Sequence, residues 1–287
     1  MTEKRQATEK GNRSAEHLLA ELEPAVVRQL ERHLETAREW FPHEYVPWSE
    51  GENFDGPLGG RPWEPKQSRL APAVRTALIV NLLTEDNLPI YHHQAGANIG
   101  REGAWGEWLY RWTAEEDRHA TAIRGFLHTT RAVDPVALER TRMQHMSAEW
   151  DPGTPSGLHA IAYVTVQELA TRVAHRNTGK VSEDEDCVRL LSRIALDENL
   201  HMVFYREVFR DALELAPAQA LAAFADTLEN FAMPGSNAPG FPRMAAEIAR
   251  AGIYNLRVHH DEVVTPLLRS LGVLDMTGLD AEGTHAQ

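Results

Sequence analysis

The sequence predicts an all-α protein, a helical bundle built from two copies of one hairpin, and three observations carry that prediction. Glu116 and His119 in Trp112-Thr-Ala-Glu-Glu-Asp-Arg-His119 stand three apart, and Glu198 and His201 in Leu196-Asp-Glu-Asn-Leu-His201 repeat the offset. Each pair follows a lone acid at nearly the same interval, Glu85 lying 31 residues before Glu116 and Glu168 lying 30 before Glu198. Apolar residues recur at helical spacing through these stretches, and no alternating strand pattern of useful length is present. Residues three apart on a helix share a face one turn apart. An interval of thirty suits about fifteen residues down one helix and about fifteen up the next, at roughly 1.5 Å each, returning to the same depth. Four carboxylates and two imidazoles are therefore expected at one level of a bundle. About one or two Glu-x-x-His pairs are expected by chance in a chain this rich in both. Glu282-Gly-Thr-His285, in a polar tail without an apolar face, reads as such an accident.

Taken in order, Ser14 to about Glu39 reads as a first helix, with Leu18, Leu22, Val26, Leu30 and Leu34 in period. It stops at Trp40-Phe-Pro42. The prolines from Pro42 to Pro72 suit an extended segment lying across the bundle, with Trp48 and Trp63 as packing anchors. A second helix, about Ala73 to Gly96, carries Val74, Leu78, Leu82, Glu85 and Leu88 on one stripe. An acid in an apolar stripe is expensive to bury unless paired or bound to metal. Pro89 removes the helical partner of the Glu85 carbonyl, so a kink is expected there. The third helix, about Glu102 to Thr130, places Trp105, Trp108, Trp112, Glu116, His119, Ile123 and Phe126 on a buried seam.

Asp134-Pro135 starts another helix, the Asp capping and the Pro at the first position; it is expected to close near Trp150. The next, about Gly157 to Asn177, has Ile161, Val164, Glu168, Thr171 and His175 on one side and ends at Asn177-Thr-Gly179. Ser182 then caps a long helix to about Leu215 with Leu191, Ile194, Glu198, His201, Tyr205 and Val208 on its seam. Ala218 to Phe231 and Pro242 to about Leu271 complete the fold.

At 287 residues the chain suits a single domain, residues 1–287, with loose polar ends at about 1–14 and 275–287. The N-terminal stretch lacks the apolar run of a signal peptide or membrane span, which predicts a soluble, cytoplasmic protein. One cysteine, Cys187, excludes an internal disulfide and thiolate metal clusters, so any metal must be held by carboxylate and imidazole. A net charge of -13 argues against general nucleic-acid binding. No phosphate loop, nucleophile elbow or zinc-type Cys/His set is present.

One Glu from each of two helices with Glu-x-x-His from each of two others is the donor set of ferritin-like di-iron and di-manganese bundles. Hard carboxylates bridge and neutralise two divalent ions, and imidazole adds nitrogen ligation. Without metal, four carboxyls so close together would have to share protons.

The stretches Thr84-Glu-Asp-Asn-Leu-Pro-Ile-Tyr91, Trp112 to His119, Gln167-Glu168 with Thr171, and Asp197 to His201 closely resemble those of the soluble acyl-acyl-carrier-protein desaturases, the plant stearoyl type and its actinobacterial relatives. Trp40-Phe-Pro-His-Glu-Tyr-Val-Pro47 resembles that family's Trp-x-Pro segment, and the likeness runs in order from about residue 15 to 272. The resemblance implies two Fe ions held by Glu85, Glu116, His119, Glu168, Glu198 and His201. It implies that Thr171 helps proton delivery and that Trp40 and Asp197 form an electron route towards His119. From the residues alone, Thr171 could equally bond its own backbone, and Asp197 could be an ordinary solvated acid. The implied reaction is O2-dependent insertion of a cis double bond into an acyl chain on an acyl carrier protein. Electrons would come from an external, ferredoxin-type donor, and the enzyme would be a homodimer. Gln94, Ala95, Ala97 and Asn98 match the family's channel positions and are more polar here.

A di-iron hydroxylase or N-oxygenase would keep the six ligands and change only the channel. An iron store or a radical-generating subunit leaves Trp40 and Thr171 without a role, and a scaffold predicts no metal. A carrier protein is small and acidic, so docking calls for a basic face. The run from Asp117 to His145, with Arg118, Arg124, Arg131, Arg140 and Arg142, is one candidate, and Arg61, Lys66 and Arg69 form another. Either could instead be a solvated face with its own salt bridges.

Overall fold

Ser14 opens the first helix, its Oγ accepting the His17 amide at 3.3 Å, in a computed structural model that describes residues 14–148 and 154–287. This helix, α1 (Ala15–Thr36), buries Leu18, Leu22, Val26 and Leu30, whereas Leu34 faces solvent. The proline-rich segment then crosses the bundle through three short 3-10 turns. Its anchor is Arg131, whose guanidinium donates to the carbonyls of Asn53, Arg61 and Pro62 and lies 4.1 Å from the Phe54 ring. Trp63 does anchor the segment, donating to the Arg131 carbonyl at 2.9 Å. Trp48 is half exposed but lies against Gly125, where a Cβ would meet its ring at 2.9 Å.

The second predicted helix is two helices, α2 (Pro72–Asp86) and α3 (Leu88–Ile99), broken at Asn87 immediately after Glu85 and Asp86. Pro89 has no N–H to return to the Glu85 carbonyl, which is the physical reason for the break. Then follow α4 (Gly103–Thr129) and α5 (Pro135–Met146), the latter capped by Asp134. The expected end near Trp150 lies outside the described residues.

Helices α6 (Gly157–Ser182) and α7 (Glu185–Leu215) depart from the expected boundary. Asn177-Thr-Gly179 does not stop α6. Gly179 lies inside it because α7 passes so close that a Cβ there would sit 3.4 Å from the Val188 Cα and the Leu191 Cβ. The turn falls at Glu183, in the left-handed region at φ 53°, and Asp184, not Ser182, caps α7 by accepting the Cys187 amide at 2.9 Å.

The remaining helices are α8 (Pro217–Asn230), α9 (Phe241–Arg250), α10 (Leu256–His259), α11 (Thr265–Leu271) and α12 (Ala281–Ala286), with a π turn at His260–Val264. The single helix expected over 242–271 is interrupted because Gly252 turns at φ 72° and Asn255 caps a new start, accepting the Val258 amide at 3.0 Å. At the C-terminus, where a loose tail was expected, α12 packs on α8 through buried Gly283, and Gln287 donates to the Val273 carbonyl at 2.8 Å. The expected loose N-terminal end falls on residues 1–13, outside the described residues.

Helices α2, α4, α6 and α7 form the central four, with α2 against α4 and α6, and α7 against α4 and α6. Helix α1 covers α4 and α7, α8 lies on α6 and α7, and α9 lies on α2. Among the described residues there is no strand, only one isolated bridge between Phe54 and Arg61. No described helix is long and apolar enough to cross a membrane.

Candidate metal centre

The six acids and histidines singled out by spacing meet at one level of the central four helices. Every one is buried: Glu85 on α2, Glu116 and His119 on α4, Glu168 on α6, and Glu198 and His201 on α7. They fall into two overlapping groups whose donor atoms lie within 4.8 Å of one another. One is Glu85, Glu116, His119 and Glu198; the other is Glu116, Glu168, Glu198 and His201. Glu116 and Glu198 belong to both, which is the arrangement of two cations sharing two carboxylates.

Both imidazoles turn the same edge inward. His119 Nδ1 lies 3.2 Å from Glu116 Oε2 and 3.1 Å from Glu198 Oε1. His201 Nδ1 lies 2.8 Å from Glu116 Oε1 and 3.5 Å from Glu168 Oε2. Glu116 Oε1, Glu168 Oε2, Glu198 Oε1 and His201 Nδ1 are buried and make no hydrogen bond. Buried polar atoms are almost always well hydrogen-bonded, so four that crowd one centre in close contact with each other, without well-aligned hydrogen bonds, fit a pair of cations better than a polar network. Borderline nitrogens and hard oxygens in this ratio suit iron or manganese.

The outward atoms are held firmly. Asp197 accepts the Trp40 Nε1–H at 2.7 Å and faces His119 Nε2 at 3.4 Å, with Arg193 and Arg118 also on it. Trp40, Asp197 and His119 are thus in contact, and the guanidiniums of Arg118 and Arg193 stand 5.2 and 5.8 Å from the Trp40 ring. Thr171 Oγ1 lies 3.0 Å from Glu198 Oε2 and 2.8 Å from the Gln167 carbonyl, so it reaches both its own backbone and the centre.

Four supporting residues escaped the sequence reading. Glu115 lies 2.9 Å from His201 Nε2 and 3.0 Å from His33 Nε2, doing for His201 what Asp197 does for His119. The internal repeat held the signal, since Glu115 precedes Glu116 as Asp197 precedes Glu198. His175 donates to Glu85 at 2.9 Å and is itself 3.2 Å from Asn81 Nδ2. Trp112, read only as core, donates to Glu168 at 3.0 Å. His33, on α1, carried no motif at all. Such outer contacts fix the orientation of ligands.

Burial is the largest influence on Glu85, Glu115, Glu116, His119, Glu168 and His201. It drives Glu168 well above the usual carboxyl range, helped by the charges of Glu116 and Glu198, and it raises Glu85. Burial alone would also raise Glu116, but the charges and hydrogen bonds of His119 and His201 together outweigh it and hold that carboxyl low. Glu115 is likewise held low against burial by hydrogen bonds from His201 and His33. Burial would lower His119 and His201; surrounding carboxylates push both well above the usual imidazole value instead. Cys187 is buried, its thiol pushed up to about 12 chiefly by desolvation, and takes no part.

Two cavities flank α6 beside this centre. The outer is a groove of about 930 Å³ reaching from Tyr254 and Leu256 to Thr171, and the inner, about 50 Å³, is bounded by Tyr91, Ala95, Asn98, Trp112 and Gln167. Pro234 lines both. Asn98 turns its amide to the Gln94 carbonyl at 3.0 Å and Tyr163 its hydroxyl to the Ala232 carbonyl at 2.9 Å, leaving carbon to face the space. Ala97 points to solvent and takes no part.

The profile of the family described as fatty acid desaturase matches residues 14–287. The chain belongs to that family. It is therefore an oxidoreductase of the desaturase type. DesA1 of Mycobacterium tuberculosis, which carries the name of an acyl-[acyl-carrier-protein] desaturase, is 45% identical over 93% of this chain and 81% of its own length. The stearoyl-[acyl-carrier-protein] 9-desaturase 5 of rice, Oryza sativa subsp. japonica, is 27% identical over 87% of this chain and 68% of its own. The X-ray structure of DesA2 from M. tuberculosis H37Rv superposes with a TM-score of 0.77 at 30% identity, covering 94% of this chain and 99% of that one. The fatty acid desaturase reading agrees with the all-helical fold and with the six-residue cluster.

The arginines expected to dock a carrier do not form a free face. Arg131 and Arg142 are buried, the first on the strap carbonyls, the second on Asp86 and Glu139. Arg124 also pairs with Asp86, and Arg118 with Asp197. Arg61 pairs with Glu52, Lys66 with Glu64, and Arg69 with Glu50, Asp184 and Asp186. Of the first run only Arg140 is exposed with no ion pair among the described residues.

Proposed function

We propose that this chain is an O2-dependent acyl-[acyl-carrier-protein] desaturase that places a cis double bond in a carrier-bound acyl chain. The observation that carries the reading is the convergence of buried carboxylate and imidazole donor atoms at one level of the bundle, beside two apolar cavities. Glu85, Glu116, His119, Glu168, Glu198 and His201 would hold two iron ions. When bound, the irons supply the reduced pair at which dioxygen takes two hydrogens from neighbouring methylenes. Two external electrons and two protons complete its reduction to two waters.

The chain's own residues have separable tasks. Asp197 and Glu115 orient the two imidazoles from outside, Trp112 orients Glu168, and His175 orients Glu85. Thr171, on the groove wall and in reach of Glu198, holds a proton where the substrate passes. A hydrocarbon offers nothing to hydrogen-bond, so position along it is set by depth, and the small inner cavity limits how far the methyl end passes the centre. The contact series Trp40, Asp197, His119 suits electron entry, and Phe41 and Leu196, exposed apolar neighbours of the first two, suit a ferredoxin-type donor. A homodimeric state rests on the family resemblance.

The test is product analysis. Iron-loaded protein given O2, a reductant and carrier-bound acyl chains of graded length should yield mono-unsaturated product of one regiochemistry. A product heavier by one oxygen would instead assign the site to a hydroxylase, and N-oxidation of a carrier-bound aminoacyl substrate supplied in parallel, with no acyl chain desaturated, to an N-oxygenase.

A further inference from the structure

Resting on that reading, we propose that the carrier docks on the lip of the outer groove formed by α9 and α10, using Arg243, Arg250 and Arg257. The occupant is a small acidic protein that carries the acyl chain. The groove opens between these helices and the C-terminal half of α6, and Ala249, Ile253, Tyr254, Leu256 and Arg257 line that opening. A tethered chain can enter only where its carrier sits.

Charge singles out the same place. Residues 241–260 hold three arginines against one glutamate, on a chain whose net charge is -13. That glutamate, Glu247, accepts the Thr76 hydroxyl at 3.0 Å. Just beyond, Glu262 pairs with Arg176 and Asp261 with His260. The three arginines are exposed and have no ion pair among the described residues, in contrast to Arg118, Arg124, Arg131 and Arg142. Arg243 and Arg250, seven apart, share the face of α9 opposite the groove-lining Phe241, Ala245 and Ile248. On the far lip Glu229 is the one acid among the groove's lining residues, and it turns an acidic partner towards the arginines.

An apolar contact accompanies the charge. Leu256, next to Arg257, is 88% exposed, the most exposed large hydrophobic residue of those described. Exposed arginines on two successive helices, one of them beside a protruding leucine, complement an acidic helix with an apolar stripe. Rim charges of this kind govern association and salt dependence more than chemistry.

The experiment compares wild type, R243E/R250E, R250E/R257E and a control, R140E, on acyl-carrier and acyl-coenzyme A substrates at several ionic strengths. Binding of the unacylated carrier is titrated by calorimetry in parallel. The expected result is a Michaelis constant for the acyl-carrier raised about tenfold or more in both double variants. Iron content should be unchanged in both double variants, kcat and the coenzyme A reaction should be unchanged in R243E/R250E, R140E should behave as wild type, and salt should weaken wild type most. An unchanged Michaelis constant and carrier affinity in both double variants overturns the proposal, as does an equal effect from R140E. If wild type forms no desaturated product, the function reading fails, and the carrier titration still decides the docking face.

Discussion

Burial raises Glu168 and Glu85 towards the protonated form in the metal-free chain, whereas His119 and His201 hold Glu116 low. One deletion therefore separates site from fold. Glu116→Ala or Glu198→Ala should abolish iron binding while helical content by circular dichroism is retained, since the remaining carboxyls can take up protons. His175→Ala leaves Glu85 without its donor; metal affinity should fall about 10- to 100-fold in a chelator competition. Thr171→Ala should retain two irons yet slow turnover or release peroxide; unchanged turnover and unchanged peroxide would reduce Thr171 to a helical hydroxyl bonded to Gln167. The six principal residues were legible because their spacing repeats. Their supporters were only partly so. Glu115 was visible through the repeat, whereas His33 comes from a helix distant in sequence, and no spacing rule could bring it to Glu115.

At the scale of elements, the break after Glu85 was readable because proline acts locally, through a missing N–H. The continuation of α6 through Gly179 was not, because that glycine serves a close helix approach that only the packed pair reveals. The interruption at Gly252 and Asn255 carries ordinary stop and start signals, a glycine at positive φ and an asparagine cap, within a stretch whose apolar period alone suggests one helix. The true start of α7 gives a direct check. Asp184→Ala removes its cap and the Arg69 contact and should cost about 1 kcal/mol in a denaturant titration. Ser182→Ala should cost less if the cap lies where it is described.

For the whole molecule, composition excluded thiolate metal sites and made general nucleic-acid binding implausible, but it did not show which arginines were free. Burial of Arg131 and Arg142 decided that, and burial is a property of the fold. The same packing ties stability to protonation. Glu168, Glu85, His119 and His201 all have folded pKa values above their unfolded ones, so the folded metal-free chain holds protons that the unfolded chain has released. Stability from these groups is full below the unfolded values and is lost as pH rises through the folded ones. The metal-free melting temperature should therefore fall on the alkaline side of neutrality. Binding of two cations replaces those protons, so loading near pH 7 should release protons, seen by calorimetry in two buffers of different ionisation enthalpy, and affinity should rise with pH.

The central claim is a two-metal centre made by these six side chains, and iron content per folded chain tests it most directly. Protein loaded anaerobically with ferrous iron and freed of excess should hold two irons per chain, with Glu116→Ala and Glu198→Ala variants of unchanged helical content holding less than one. Fewer than one iron in fully folded wild-type protein, or two irons in both variants, would contradict the account.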